Sequence, residues 1–315
     1  VVEQRNHNPL VGGSNPSTAT NFLFKFVYTW LPSGSWPDKF IFFIHFTGNR
    51  ILDYLSFGRA VIQKNPESRT LYGVHEGSRI WIKQPCPPKA RIWHDLQKFL
   101  AWVCRQPILR CTVSPGGGHS LRQEADRLQE FKDKGYNVPS ILALDDDLLV
   151  LSDAGPQLRS FLDKMDDANG REQILLETVR ALANLHANGM VHGRPYTRDM
   201  TWDGEQIGFL DLEENPAKVM PMPMAQARDI WVFLGSAARH ARDGKYNFSS
   251  DLIKSLYREY TRHVGPEIIA ELRIFVNFLS PLRRLGQTSF LWPKIGKDAR
   301  QSVFITQCLH EELKD

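Results

Sequence analysis

VHGRPYTRDMTW, residues 191–202, is a polar loop between the best-marked helix of the chain and an apolar strand, and its reading decides the fold. The helix spans 170–188. Asn169 and Glu172 suit its start, Leu175, Val179, Leu182 and His186 recur on one face, and Gly189 stands where a helix ends. The strand, Ile207 to Leu212, carries a carboxylate near its end, Asp211. Between them the loop sets Arg194 and Asp199 five residues apart, just after His192-Gly193.

Working outward, Arg69 to Lys83 (RTLYGVHEGSRIWIK) predicts a β-hairpin. Leu71, Val74, Ile80 and Ile82 are strand formers and Glu76-Gly77-Ser78 is the turn. Residues 90–104 predict a helix with Ile92, Leu96, Leu100 and Val103 on one face, and SPGGG at 114–118 a loop. Ser120 with Gln123 forms a capping-box pattern for a helix that Gly135 closes. Residues 137–155 predict two short strands around an acidic turn. Beyond the apolar strand, helices are expected at 225–242, 250–263, 266–279 and 297–313. A strand-rich half thus precedes a helix-rich half, the order of an α+β protein.

The 315 residues carry 39 basic and 35 acidic side chains, a net charge of +4, too weak to point to nucleic acid. Four cysteines form no C-x-x-C pair, which predicts reduced thiols in a cytoplasmic setting and no cysteine metal site. No apolar run reaches the roughly 18 residues of a membrane span. Residues 1–50 differ from the rest: seven of the 18 phenylalanines lie between Phe22 and Phe46, and no methionine precedes Met165. Gly13-Ser14-Asn15-Pro16 can be encoded by GGT-TCG-AAT-CCC, which resembles the T-arm of a transfer-RNA gene. Two readings stay open, translated non-coding sequence or a flexible tail, and both place the segment outside the fold.

From about residue 69 to 240 the order of motifs resembles the protein-kinase superfamily. The resemblance implies two lobes: a small strand-rich lobe at 51–155 and a helical lobe at 156–315, joined near LSDAG (151–155). It implies that Lys83, ending the strand IWIK, holds nucleotide phosphates, and that Glu124 on the following helix orients it. Asp211 matches the metal-binding aspartate that follows a buried strand. His192 matches a histidine of structural role, and Asp229 in ARDIWVFL matches the aspartate that braces the loop.

The pattern H-R-D-x-x-x-x-N of that loop places Arg194 on the aspartate and Asp199 on the metal-binding asparagine. Reading Arg198-Asp199 as the R-D pair instead leaves Gly204 where a ligand is needed. The catalytic candidates are therefore Arg194 and Asp199, and the metal ligands Asp199 and Asp211. An arginine stays charged and takes no proton, so a general base is missing at 194. The implied cofactors are ATP and magnesium. The short H-G-x-x loop, EADRLQEFKDKGYNVPSIL (124–142) and the compact helical tail resemble the bacterial lipopolysaccharide core kinases, related to RIO-type kinases. That resemblance implies a Kdo or heptose hydroxyl as acceptor and allows contact with the inner membrane from the cytoplasm; the short segment after Asp211 favours a small or lipid-linked acceptor. A pseudokinase that binds nucleotide or a partner, and an atypical serine/threonine protein kinase, are the alternatives. The basic group Arg239, His240, Arg242 and Lys245 is expected to be a solvated helix face, as is Arg283-Arg284.

Overall fold

The computed structural model describes residues 38–85, 107–110, 117–243, 247–282 and 297–314. The helix expected at 90–104 and Arg283-Arg284 lie outside the described residues. The protein is α+β. It divides into two compact units, and among the described residues the chain crosses between them at Glu130/Phe131, Val138/Pro139 and Asp153/Ala154. The last crossing falls inside LSDAG.

The first unit is a four-stranded antiparallel sheet with one long helix. Helix α1 (Asp38–Lys64) leads into β1 (Thr70–His75) and β2 (Ser78–Lys83). Strands β3 (Ile141–Leu144) and β4 (Leu149–Ser152) complete the sheet in the order β1-β2-β4-β3. The β1–β2 turn is two residues, Glu76 and Gly77, both with positive φ (48° and 78°), the primed turn whose twist suits a tight hairpin. Alternation does the rest. Ile80, Ile82 and Val150 point to one face and bury against Leu55, with Phe57 and Val61 of α1 packed on the same cluster. Lys83 and Trp81 point to the other.

No helix was read at 51–64, although Leu55 is 2 % exposed and part of this core. Helix α1 begins at Asp38 and so runs through the expected boundary at residue 50. The acidic turn Asp145-Asp146-Asp147 is where expected and serves as an anchor. Arg59 of α1 holds Asp145 and Asp147 at 2.5 and 3.0 Å, and Arg122 pairs with Asp146.

Helix α2 (Gly118–Asp133) starts two residues before the predicted cap. Ser120 therefore lies inside the first turn, where its hydroxyl donates back to the Gly117 carbonyl at 2.7 Å. Gly135 closes the helix as expected, with Tyr136 N–H bonded to the Phe131 carbonyl.

In the second unit α3 (Leu158–Lys164), unread in the sequence, precedes α4 (Ala168–Ala187). The cap of α4 is Asp167 rather than Asn169; its carboxylate accepts from the amides of Asn169 and Gly170. A 3-10 turn, Thr197–Asp199, then leads into the hairpin β5 (Met200–Trp202) and β6 (Ile207–Phe209). A 3-10 turn at Pro216–Lys218 precedes α5 (Met222–Ala237). Helices α6 (Ser250–Thr261), α7 (Pro266–Leu279) and α8 (Lys297–Glu312) follow. Phe131, Tyr136 and His192 pack around Phe209 at 5.8–6.0 Å between ring centres, which seats the β5–β6 hairpin.

Helices α4 and α6 are tied by Arg180 to Glu259 at 2.6 Å, and His263 and Arg262 share the same carboxylate. Arg180 first, then His263, hold the Glu259 carboxyl down to about 2 from its ordinary 4.5. A depressed carboxyl stabilises the fold fully above its unfolded value and loses that contribution as pH falls through the folded one. Urea midpoints of the wild type should therefore drop between pH 4.5 and pH 2 more steeply than those of Glu259→Gln. Parallel pH curves would remove this assignment.

Candidate active site

The loop read first is built from one buried carboxylate. Asp229 of α5 is fully buried, and its oxygens accept the amides of His192 at 2.6 Å and Gly193 at 3.1 Å. Three residues earlier on the same helix, Gln226 donates to the carbonyls of His186 and Met190 at 2.8 and 2.9 Å. Two turns later, Ser236 accepts the Thr197 amide at 2.9 Å. One helix thus grips the loop before, within and after its reactive part. Gly193 is required sterically: its φ is +106°, and a Cβ there would stand 2.3 Å from the Glu214 carbonyl oxygen.

His192 stays structural. Its ring is buried against Phe209 and its Nδ1 accepts the Arg194 amide at 3.3 Å. Behind it, the His186 ring lies between the Tyr260 hydroxyl at 2.6 Å and Asp229 at 3.5 Å. Burial, and secondarily the Asp229 charge, push the Tyr260 phenol well above its ordinary range, so it serves as a neutral hydrogen-bonding group.

Asp199 ends the 3-10 turn and stands directly before β5; Asp211 stands two residues after β6. The hairpin register, Met200 opposite Phe209, and the bond from Leu210 N–H to the Asp199 carbonyl at 2.9 Å bring the two together. Asp211 takes φ +56°, a left-handed conformation rare for a residue with a side chain and concentrated at functional sites. Gly204, the ligand position under the other alignment, lies between β5 and β6 with φ +105°.

Arg194 occupies the centre. Its Nη2 is 2.7 Å from Asp211 Oδ2, its Nη1 3.4 Å from Glu214 Oε1, and its Nε 3.8 Å from Asp199 Oδ2. Glu214 also faces Arg228 at 3.6 Å, and Asp199 faces Arg198 at 3.6 Å. Burial pulls the Arg194 guanidinium down, but Asp211, Glu214 and Asp199 outweigh it, and its pKa is raised overall. Three carboxylates and three guanidinium groups form one nearly neutral network. Glu214 and Arg228 were not among the expected site residues. Their signals were the run D-L-E-E at 211–214 and the arginine beside Asp229.

In the first unit Lys83 and Glu124 meet as expected. The ammonium is 2.5 Å from Glu124 Oε1, with side-chain exposures of 12 % and 1 %. Glu124 lies in the second turn of α2, because the helix starts at Gly118. Trp81, on the Lys83 face of the sheet, donates its indole N–H to Asp153 at 2.9 Å and packs on Tyr72 at 5.6 Å. The basic group at 239–245 is not a solvated face where it is described. The His240 side chain is 3 % exposed beside Asp163, and burial pushes its imidazole down to about 4. Arg239 faces the same Asp163 at 3.6 Å.

No family model matches the chain. It is 28 % identical over 247 residues to an uncharacterized protein of Haemophilus influenzae, an alignment covering 76 % of this chain and 92 % of the relative. Among the described residues no helix is long and apolar enough to cross a membrane.

Asp229→Ala should unfold the loop's support. It strands two buried amides whose hydrogen bonds to a charged group are each worth roughly 1.5–3 kcal/mol. The expected loss is about 3 kcal/mol or more in urea denaturation. A loss below about 1 kcal/mol would show that the carboxylate is not what fixes the loop.

Proposed function

We propose that the chain is an ATP-dependent phosphotransferase of the protein-kinase-like type, acting on a sugar hydroxyl of the lipopolysaccharide core. The observation that carries this is the pairing of Asp199 and Asp211 at one end of the β5–β6 hairpin, on a loop held by Asp229. The Lys83–Glu124 pair of the first unit supports it independently, because a buried ammonium fixed by one carboxylate is a directed charge suited to phosphate. The segment from Leu212 to Pro221 has one 3-10 turn among its residues and no long regulatory excursion, which suits a small acceptor.

The donor set fits magnesium in kind: Asp199 and Asp211 offer hard carboxylate oxygens. Bound there, the metal would neutralise charge on the nucleotide phosphates. The chain's own residues do the remainder. Lys83 holds phosphates, and Glu124 keeps its ammonium in place. Arg194 is a planar cation suited to charge on the transferring group. Asp199 is the carboxylate that orients the acceptor hydroxyl. In the transfer, the bond from the terminal phosphorus to the β–γ bridging oxygen breaks and a bond from the acceptor oxygen forms. The hydroxyl proton passes to the Asp199 carboxylate and the leaving group is ADP. A loose transition state asks little of a base, which is compatible with arginine at 194.

One observation favours a second reading. Arg194 already pairs with Asp211 and lies 3.8 Å from Asp199, as a retired site would allow, and the chain would then be a nucleotide- or partner-binding pseudokinase. Transfer from γ-labelled ATP separates the two. Delipidated lipopolysaccharide core and a protein mixture are offered side by side, with Asp211→Ala as control. Label on the glycan, reduced at least a hundredfold in the variant, is the expected result, in line with loss of a group stabilising transition-state charge. Label on protein alone discards the sugar acceptor. No label, from folded protein that does not bind ATP, makes Arg194 the mark of a retired site and favours the second reading.

A further inference from the structure

We infer that Arg194 is a tethered cation that competes with divalent metal for Asp199 and Asp211, so that the site refuses a free metal ion and admits one only together with phosphate. The inference rests on the reading of Asp199 and Asp211 as metal ligands, and it concerns how that site is guarded.

The geometry is specific. The Arg194 fork reaches three carboxylates contributed by three separate places: the 3-10 turn, the end of the β5–β6 hairpin and the segment beyond it. A magnesium or manganese ion draws its oxygens to about 2.1 Å and cannot share them with a guanidinium carrying the same sign of charge. Metal and arginine therefore exclude each other at Asp211 Oδ2, and repel across the short reach from the guanidinium to Asp199 Oδ2, 3.8 Å from Nε. Because the two equilibria are linked, whatever stabilises Arg194 on the carboxylates weakens the metal by the same factor.

The fold lets the side chain move and holds the backbone still. His192 and Gly193 amides are fixed on Asp229, and the Arg194 amide bonds back to the His192 ring. The Arg194 side chain itself is 30 % exposed, more than the three carboxylates around it at 11–21 %. Rotation about its own bonds frees it without disturbing the loop. A free metal ion offers the displaced guanidinium no new partner. A metal–triphosphate complex does, because guanidinium pairs with phosphate oxygens through its fork. The exchange is then favourable only when phosphate arrives with the metal.

The test uses manganese and electron paramagnetic resonance on the full chain, with thermal melts to establish that each variant is folded. Wild type is expected to bind free Mn²⁺ weakly. Arg194→Gln should bind it about tenfold more tightly, within the usual range of coupling between sites. Arg194→Lys keeps a cation and should stay near the wild-type affinity, an outcome that loss of packing alone would not give. Asp211→Asn, introduced beside Arg194→Gln, should remove the gain. ATP should raise the Mn²⁺ affinity of wild type by a larger factor than that of Arg194→Gln. Equal free-Mn²⁺ affinities for wild type and Arg194→Gln overturn the inference; Mn²⁺–ATP binding by wild type would then leave the phosphotransferase reading standing. Absence of Mn²⁺ binding by every variant, with ATP present, overturns the metal reading and this inference together.

Discussion

The carboxylate of Asp229 is the constraint on which the site depends. A buried carboxylate is costly unless its lone pairs are filled, and here the amides of His192 and Gly193 fill them. The bargain is reciprocal, since two loop amides that would otherwise lack partners are satisfied. Gly193 follows from it: only a residue without Cβ can turn at φ +106° while pressed against the Glu214 carbonyl. With the backbone of 192–193 settled, the exit of the chain at Arg194 is settled too. Gln226 and Ser236 extend the same helix's hold to both sides of the loop, so that the rigid element is α5 and the loop is its cargo.

The cation–carboxylate arrangements of Lys83 and of Arg194 differ in kind. Lys83 and Glu124 form a short pair with almost no exposure, one point charge on one carboxylate oxygen. Such a pair resists separation, because parting it leaves a buried uncompensated charge. Arg194 instead distributes one planar cation over three carboxylates at 2.7, 3.4 and 3.8 Å, two of which have other arginines in reach. Each of its contacts is replaceable. The first arrangement suits a fixed electrostatic fixture and the second a cation that can change partners. The left-handed backbone at Asp211 belongs with the second: a non-glycine residue holds that conformation only where its surroundings enforce it.

Legibility in the sequence followed the range of the interactions. The β1–β2 hairpin, the close of α2 at Gly135 and the residues of the loop could be read because turn chemistry and periodicity act over a few positions. The Lys83–Glu124 pair, 41 residues apart, was reached through motif order and not through any local rule. Failures had physical causes. Helix α1 was missed because its first half lies in the segment that composition set outside the fold, and the packing surface of its second half is the distant sheet. Ser120 offered a capping pattern, but the chain enters α2 two residues earlier, so its hydroxyl turned to Gly117. Strand β5 has three residues and exists because β6 pairs with it, a partner that no window around Met200 contains. Glu214 was overlooked because its importance comes from Arg194, on the other side of the hairpin.

These facts separate scaffold from chemistry in a useful way. Much of what shapes the loop acts through backbone atoms: amides on Asp229, carbonyls on Gln226, an amide on Ser236, a carbonyl against Gly193. None of these contacts involves the side chain at 194. The loop would therefore take the same path with aspartate or arginine there, and the residue at 194 can vary without the fold opposing it. What opposes it is electrostatic. An aspartate at 194 would set four carboxylates, with Asp199, Asp211 and Glu214, against the two guanidinium groups of Arg198 and Arg228. Arginine balances them with a charge the chain itself carries. The charge that compensates Asp199, Asp211 and Glu214 is thus carried by the polypeptide itself, in Arg194, Arg198 and Arg228.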